Sequence, residues 1–430
     1  MKELKRKFPK TYVLPYQLGV YLAVNAVSDA CLVVDGPNCV LPKADLLAGN
    51  HDLNSTLLSP LGRHRVVCTM TGPLPQQAGQ EKKLARLLES AAREEEYGVV
   101  LVTGLPFMNL AGADYDGIAA GIGGPVPVAA VPALSMEGDW LDGYDRTLEA
   151  LVGALPARRP ARKKNSAAVI GYLHDRGEGD HRANLAELRR LLKLAGLEAA
   201  CVLPDGGAFR DWNRALSAEI VVSLPYGRRA AARLAARTGA RLIETALPAG
   251  LAGTTAWLAA LRRAAGMGAL PPEVRAAEKA AALTLSNAVD MLTHSGLIYA
   301  GDPHLLCAVG GFARELGLRV QAAFLNCRSR RLSPGAAAPV TLFSPGVEAA
   351  LAAARALDGY DRPALAVCDS FALEEGFAAG AARIEFGFPS YTRHCLHDEP
   401  FLGYAGAAAF GGRLLNAALR HGDGSAEVRA

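Results

Sequence analysis

Short apolar runs rich in β-branched side chains recur along the chain, each bounded by glycine, proline or a polar turn. Runs of this kind predict strands buried on both faces, as in parallel sheets. A first set is Cys31–Val34, Arg65–Thr69, Val99–Thr103 and Val126–Val131, with a helix over Lys82–Glu96. A second set is Ala167–Tyr172, Ala199–Leu203, Ile220–Ser223 and Arg241–Glu244. Leucines at helical spacing across Asn184–Leu192 predict an amphipathic helix within it, and Leu251–Met267 returns to helix. A third set opens with a long helix over Glu273–Leu292. Leu297–Ala300 then leads into Gly301-Asp302-Pro303-His304, and strands follow at Val320–Phe324, Pro339–Phe343, Ala364–Val367 and Arg383–Phe386, with helices at Leu305–Leu316 and Ala407–Leu419.

Strand–helix alternation of this kind predicts an α/β chain with mostly parallel, doubly wound sheets. Three successive Rossmann-like domains are expected, over residues 1–156, 167–270 and 271–430, with a basic linker at 157–166. The length of 430 residues agrees, since one core does not organise so long a chain.

Half of the residues are hydrophobic and 20% are charged, so the chain has ample apolar surface to bury and disorder is not expected. The net charge of +4 is not the footprint of a nucleic-acid binder. The dense basic run Ala157–Lys164 reads as a solvated linker. No apolar stretch reaches the roughly 18 residues of a membrane span. The basic start, Met1–Lys7, lacks the apolar core of a signal peptide. A cytoplasmic location is expected, and there disulfides are rare. The eight cysteines are then buried thiols, reactive thiols or metal ligands. Cys201, Cys307, Cys327 and Cys368 lie in apolar strands or helices and read as small core residues.

Several motifs carry more. The late segment Arg383-Ile384-Glu385-Phe386-Gly387-Phe388-Pro389-Ser390 leads through a polar loop to Gly403-Tyr404-Ala405-Gly406-Ala407. Early in the chain stands Asp35-Gly36-Pro37-Asn38-Cys39. The middle block has Ile170-Gly171-Tyr172, Gly179-Asp180, Asn184-Leu185, Leu194-Ala195-Gly196-Leu197 and Pro248-Ala249-Gly250-Leu251. In this order and spacing they resemble the nitrogenase component 1 superfamily. That family comprises the nitrogenase α and β subunits, their cofactor-assembly scaffolds, and the catalytic subunits of dark-operative protochlorophyllide and chlorophyllide reductases.

The resemblance implies a metallocluster where the first domains of two subunits meet, and it makes Cys39 a cluster ligand. Iron–sulfur clusters need soft thiolate ligands, and a Cys after a strand and a tight Gly36-Pro37 turn projects from the carboxyl edge of a sheet. The competing reading is an ordinary buried thiol. Two further family positions lack cysteine: one falls near Leu14–Gly19, and Leu105 stands at the other. The chain is then expected to supply one corner of a shared [4Fe–4S] cluster, with a partner giving the other three ligands, which resembles the β-type subunits of the assembly scaffold and of the tetrapyrrole reductases. Cys68, ending the next strand at the same edge, is a second candidate. Cys31 lies eight residues before Cys39, about 25 Å away if extended, and reads as core. Places matching the large-cofactor ligands of the α-type subunit hold Leu224-Pro225 and Leu402, none of which ligates metal.

His51 and Asp52, within Gly49–Thr56, are candidate proton-transfer groups, with a capped turn or helix end as the plainer reading. Asp139–Tyr144 reads as a helix start over a packed Trp140. His394-Cys395-Leu396-His397 has metal-binding composition but only one thiol, and reads as a surface loop. No phosphate-binding Gly-x-x-x-x-Gly-Lys-Ser/Thr occurs. The resemblance assigns ATP use to a separate iron–sulfur reductase partner. It implies a subunit of a nitrogenase-like reductase, working with a homologous subunit in a heterodimer or α2β2 assembly, or as a homodimer. Two alternatives stay open: a non-catalytic scaffold for metallocofactor assembly, and a small-molecule-binding Rossmann array.

Overall fold

Strands that are apolar on both faces must be covered by helices on both sides, and parallel pairing with crossover helices achieves this. A computed structural model describes residues 10–72, 79–109, 112–157, 160–330, 332, 338–357 and 363–427, with side chains omitted at 109 and 421–427. It contains three such sheets, and every ladder in them is parallel.

The first sheet has β1 (Ala30–Asp35), β2 (Val66–Cys68), β3 (Val99–Gly104) and β4 (Val128–Ala130) in the order β2-β1-β3-β4. The second has β5 (Lys163–Ile170), β6 (Glu198–Leu203), β7 (Ala218–Ser223) and β8 (Arg241–Glu244) in the order β6-β5-β7-β8. The third has β9 (Gly296–Gly301), β10 (Arg319–Leu325), β11 (Val340–Phe343), β12 (Pro363–Cys368) and β13 (Ala382–Glu385) in the order β11-β10-β9-β12-β13. In each sheet the chain builds to one side of its first strand and then returns to the other. This creates a switch point, between β1 and β3, β5 and β7, and β9 and β12, where ligands of such sheets bind.

The chain forms two compact units. One takes the described residues up to Leu14, then Gly179–Ala195 and Ala246 onward; the other takes Pro15–Glu178 and Gly196–Thr245. The third sheet lies in the former, the first two in the latter.

Several helices escape the hydrophobic pattern, the longer ones being Tyr16–Asn25, Arg228–Thr238 and Val347–Arg355. The first is buried at nine of its ten positions, so it has no polar face for periodicity to reveal. Strand β5 begins at Lys163, inside the basic segment. Its first three residues are exposed, so their polarity hid the strand. Arg158 and Arg159 of that segment lie outside the described residues.

The Tyr16–Asn25 helix packs on the Trp140–Ala154 helix by direct backbone approach. A Cβ on Gly19 would stand 1.7 Å from the Trp140 carbonyl oxygen, and one on Gly143 would stand 2.1 Å from that of Tyr16. As expected, Asp139 starts the partner helix, here through a capping box with Asp142, and Trp140 is fully buried. Gln17 Nε2 donates to the Gly104 carbonyl at 2.9 Å and Tyr16 to that of Pro132 at 2.5 Å. The helix is thereby fixed against the first sheet. Gly19→Ala is expected to destabilise this unit by at least the ~1–3 kcal/mol typical of overpacking, measured by urea denaturation.

In the other unit the segment before Pro15 joins the third sheet. Thr11 bridges Gly346, the Tyr12 amide donates to the Pro345 carbonyl at 2.8 Å, and the Leu14 amide to that of Asn326 at 3.1 Å. Tyr12 then donates its phenol to Asp369 Oδ2 at 2.5 Å, and Asn326 Nδ2 donates there at 2.9 Å. Burial pushes the Asp369 carboxyl up to about 7, although these donors favour its charge. The folded state therefore holds this proton more tightly than the unfolded chain does. Its contribution to stability is lost as the pH rises from about 4 to about 7. Urea midpoints across that range should fall in the wild type and fall less in Asp369→Asn.

Candidate functional site

Strand β1 ends at Asp35 with Val34 paired to Cys68 of β2 and Asp35 paired to Gly104 of β3. The next residue must turn sharply. Gly36 has φ +151°, and a Cβ there would stand 2.6 Å from Leu105 Cδ1, so only glycine fits. Pro37 and Asn38 complete the turn, and Cys39 adopts helical geometry immediately before the Val40–Leu46 helix. Its side chain is exposed. Cys68 is half-buried, and its Sγ lies 3.4 Å from Met70 Sδ.

A hydrogen-bonded frame holds this edge together. Thr69 donates its hydroxyl to Asp35 Oδ1 at 2.7 Å and accepts the Gly36 amide at 3.0 Å. Tyr115 donates to Asp35 Oδ2 at 3.2 Å. The amides of Thr69, Thr71 and Leu105 donate to the carbonyls of Val34, Gly36 and Asp35 at 3.1, 3.2 and 3.0 Å. Both oxygens of the buried Asp35 carboxylate are thus engaged, and the segments bearing the two thiols are tied to the same frame.

Tyr21 of the Tyr16–Asn25 helix lies inward of this edge, close enough for charge on either thiol to act on it and with no exposure to solvent. Its hydroxyl has no hydrogen-bond partner among the described residues. Burial pushes its pKa up, and Cys39 and Cys68 are the two groups whose negative charge would push it further. A buried hydroxyl left unpaired costs ~1–3 kcal/mol. An unpaired donor is therefore enclosed in the core under this edge. Sequence reasoning missed Tyr21, because a tyrosine in an all-apolar helix looks like core.

The remaining candidates are placed elsewhere. Cys31 is buried on β1, and burial pushes its thiol up to about 12. The helix after Cys39 runs on as a π turn, Leu47–His51. At ~1.5 Å per residue this puts His51 roughly 15–18 Å from Cys39. His51 is fully buried and pairs through Nε2 with Asp175 Oδ2 at 3.1 Å. Asp52 accepts the Asn54 amide at 3.0 Å and the Gly177 amide at 2.9 Å, and burial raises its pKa. The turn reading of Asp52 is realised, at the end of a helix and not at its start. Cys307 is half-buried, less enclosed than a core thiol. Leu224, Leu402 and Leu105 are all buried. Cys395 is buried and its thiol donates to the His397 carbonyl at 3.1 Å.

Among the described residues no set of three or more His, Cys, Asp or Glu gathers as a metal site, and all eight cysteines are free thiols. A cavity of about 1040 Å³ opens along β13, lined by Arg383, Glu385, Arg393, Glu399, Arg413 and their neighbours. It contains no cysteine and belongs to the other compact unit. No helix among the described residues is long and apolar enough to cross a membrane.

Native-state alkylation with iodoacetamide, followed by peptide mapping, should label Cys39 first and Cys68 next. Cys31, Cys201, Cys327 and Cys368 should react at least about tenfold more slowly until the chain unfolds.

The sequence profile of nitrogenase component 1 type oxidoreductases matches residues 17–419. The light-independent protochlorophyllide reductase subunit N of Roseiflexus sp. is 24% identical over 252 residues, 58% of this chain and 57% of that protein. Another light-independent protochlorophyllide reductase subunit, from Methylobacterium radiotolerans, is 30% identical over 164 residues, 37% of this chain and 31% of that protein. The matched segments thus span about half and a third of those relatives. Among solved structures, one described as nitrogenase Cp1 at pH 6.5 superposes with a TM-score of 0.78 at 15% identity, covering 96% of this chain and 93% of the other. Another, nitrogenase Cp1 at pH 5, gives 0.65 at 14% identity, covering 93% and 87%. At such identity these two establish the fold.

Proposed function

The chain belongs to the nitrogenase component 1 type oxidoreductases, and we propose that it is a cluster-bearing subunit of a nitrogenase-like reductase. Cys39 and Cys68 would hold part of a [4Fe–4S] cluster at a subunit seam. The observation that carries this reading is the pair of accessible thiols on one rigid sheet edge beside the unpaired Tyr21 hydroxyl. Soft thiolate ligands are what such a cluster requires of a protein, and hydrogen bonds to its sulfurs tune it. Two thiols do not complete a four-iron cluster, so the remaining ligands come from a partner subunit. When bound, the cluster supplies one-electron transfer at low potential.

This chain's own residues orient and tune. The Asp35–Thr69–Tyr115 frame fixes the thiols, Leu105 and the Gly36 turn close the space between β1 and β3, and Tyr21 offers its hydroxyl to a thiolate or sulfide. His51 and Asp52 act as a clasp onto Asp175 and Gly177, away from the thiols. Electrons would come from a separate ATP-dependent iron–sulfur reductase. The matching curated proteins are named for protochlorophyllide reduction, which makes tetrapyrroles the first substrate class to assay.

Anaerobic purification with iron quantification and EPR tests the reading. Cys39→Ala should lose most of the bound iron; a variant with undiminished iron and spectrum would remove the basis for it. Tyr21→Phe should keep its iron but lower the cluster potential, since donors to sulfur stabilise the reduced state. A lost hydrogen bond of ~1 kcal/mol corresponds to roughly 40 mV for a one-electron couple. Iron bound without ATP-dependent turnover of any tetrapyrrole or N2-like substrate would favour the scaffold alternative.

A further inference from the structure

Resting on that reading, we infer that the partner is a second copy of this chain, and that Cys39 and Cys68 of each copy together supply the four thiolates of one cluster on a two-fold axis. The count leads there first. Of the eight cysteines Cys39 is exposed, and Cys68 and Cys307 are half-buried. Cys307 sits on the Pro303–Glu315 helix of the other compact unit. The first-sheet edge thus offers two thiols, and its frame is too tightly bonded to recruit a third. Leu105, at the place between β1 and β3 where another ligand would stand, is buried and braced against Gly36.

A four-iron cluster takes four thiolates. A partner bringing three would leave Cys68 or Cys39 without a role; a partner bringing two uses both. An isologous contact presents the same residues from each side, so symmetry converts two thiols into four. The surface at this edge suits contact with itself. Met70, next to Cys68, is 61% exposed, and Met136, six residues beyond β4 at the same edge, is 66% exposed. Large apolar side chains are self-complementary, whereas a strongly charged rim would repel its own image. Four Fe–S bonds form as four thiols release their protons, two from each copy.

The test uses the full chain produced without any homologous subunit and reconstituted anaerobically with iron, sulfide and dithiothreitol. Native mass spectrometry and iron analysis should give a dimer with about four irons, two per chain. Cys39→Ala and Cys68→Ala should each fall below one iron per chain and lose the cluster-dependent dimer. Unchanged circular dichroism would show that these variants fold, and Cys68→Ser gives a smaller perturbation should Cys68→Ala not fold. A Cys68→Ala dimer that still holds four irons overturns the inference. So does a chain that stays monomeric and iron-free alone but carries a cluster when produced with a homologous subunit; that outcome leaves the proposed function standing. Iron binding indifferent to Cys39 in every assembly would end both.

Discussion

The site depends on one buried carboxylate. Asp35 ends the central strand of the first sheet and takes hydrogen bonds from Thr69 and Tyr115, one on each oxygen. Bonds to a charged group contribute ~1.5–3 kcal/mol each, and here they join three separate segments of the chain. Thr69 carries the constraint onward, because its hydroxyl also accepts the Gly36 amide. The turn to Cys39 and the strand end at Cys68 are therefore set by the same two side chains. Without this frame the two thiols would sit on independent loops, each free to move, and a rigid inorganic cluster would have to order them at its own cost.

Much of this architecture is visible in the sequence, for a definite reason. Parallel strands are buried on both faces, so they appear as continuous apolar runs, and the expected strands fall within a few residues of those observed. The position of Cys39 follows from the same logic, since a Gly-Pro turn after a buried strand must lie at the carboxyl edge. What was hidden depends on distant partners. The polar run Gly49–Thr56 has the composition of a turn. Its role is decided by Asp175 and Gly177, more than 120 positions away. The helix Tyr16–Asn25 lacks a polar face altogether. Nothing local distinguishes Tyr21, whose hydroxyl goes unpaired, from Tyr16, whose hydroxyl finds Pro132.

Two further buried carboxylates show how the protein decides the charge of such groups. Glu385 ends β13. Burial alone would raise its pKa, but donors from Thr392, Ser390 and Ser370, with the amides of Thr392 and Arg393, overcome this and hold it at about 2. Asp369 follows β12, one strand inward, and is more deeply enclosed. Its donors from Tyr12, Asn326 and the Ala372 amide do not outweigh desolvation. The same residue class thus stays charged or takes up a proton according to the number of donors and the depth of burial.

The same comparison bears on the proposal that the first sheet, and not the third, carries the site. Both have a switch point, and both carry an aspartate at a strand end beside it. At the third, Asp302 caps the amides of His304 and Leu305, while Asp369 is enclosed by the Tyr12 segment. The neighbouring thiol, Cys368, is fully buried, and burial pushes its pKa far up. A thiol in that environment is a poor ligand, because the thiolate is the species that binds metal. At the first sheet the aspartate is equally occupied, but the thiols are within reach of solvent and a neighbouring hydroxyl goes unpaired. The third sheet too has an unpaired hydroxyl, that of Tyr391; among the described residues the difference is the sulfur, sealed at Cys368 and open at Cys39, and it is the difference that a shared metal cluster would exploit.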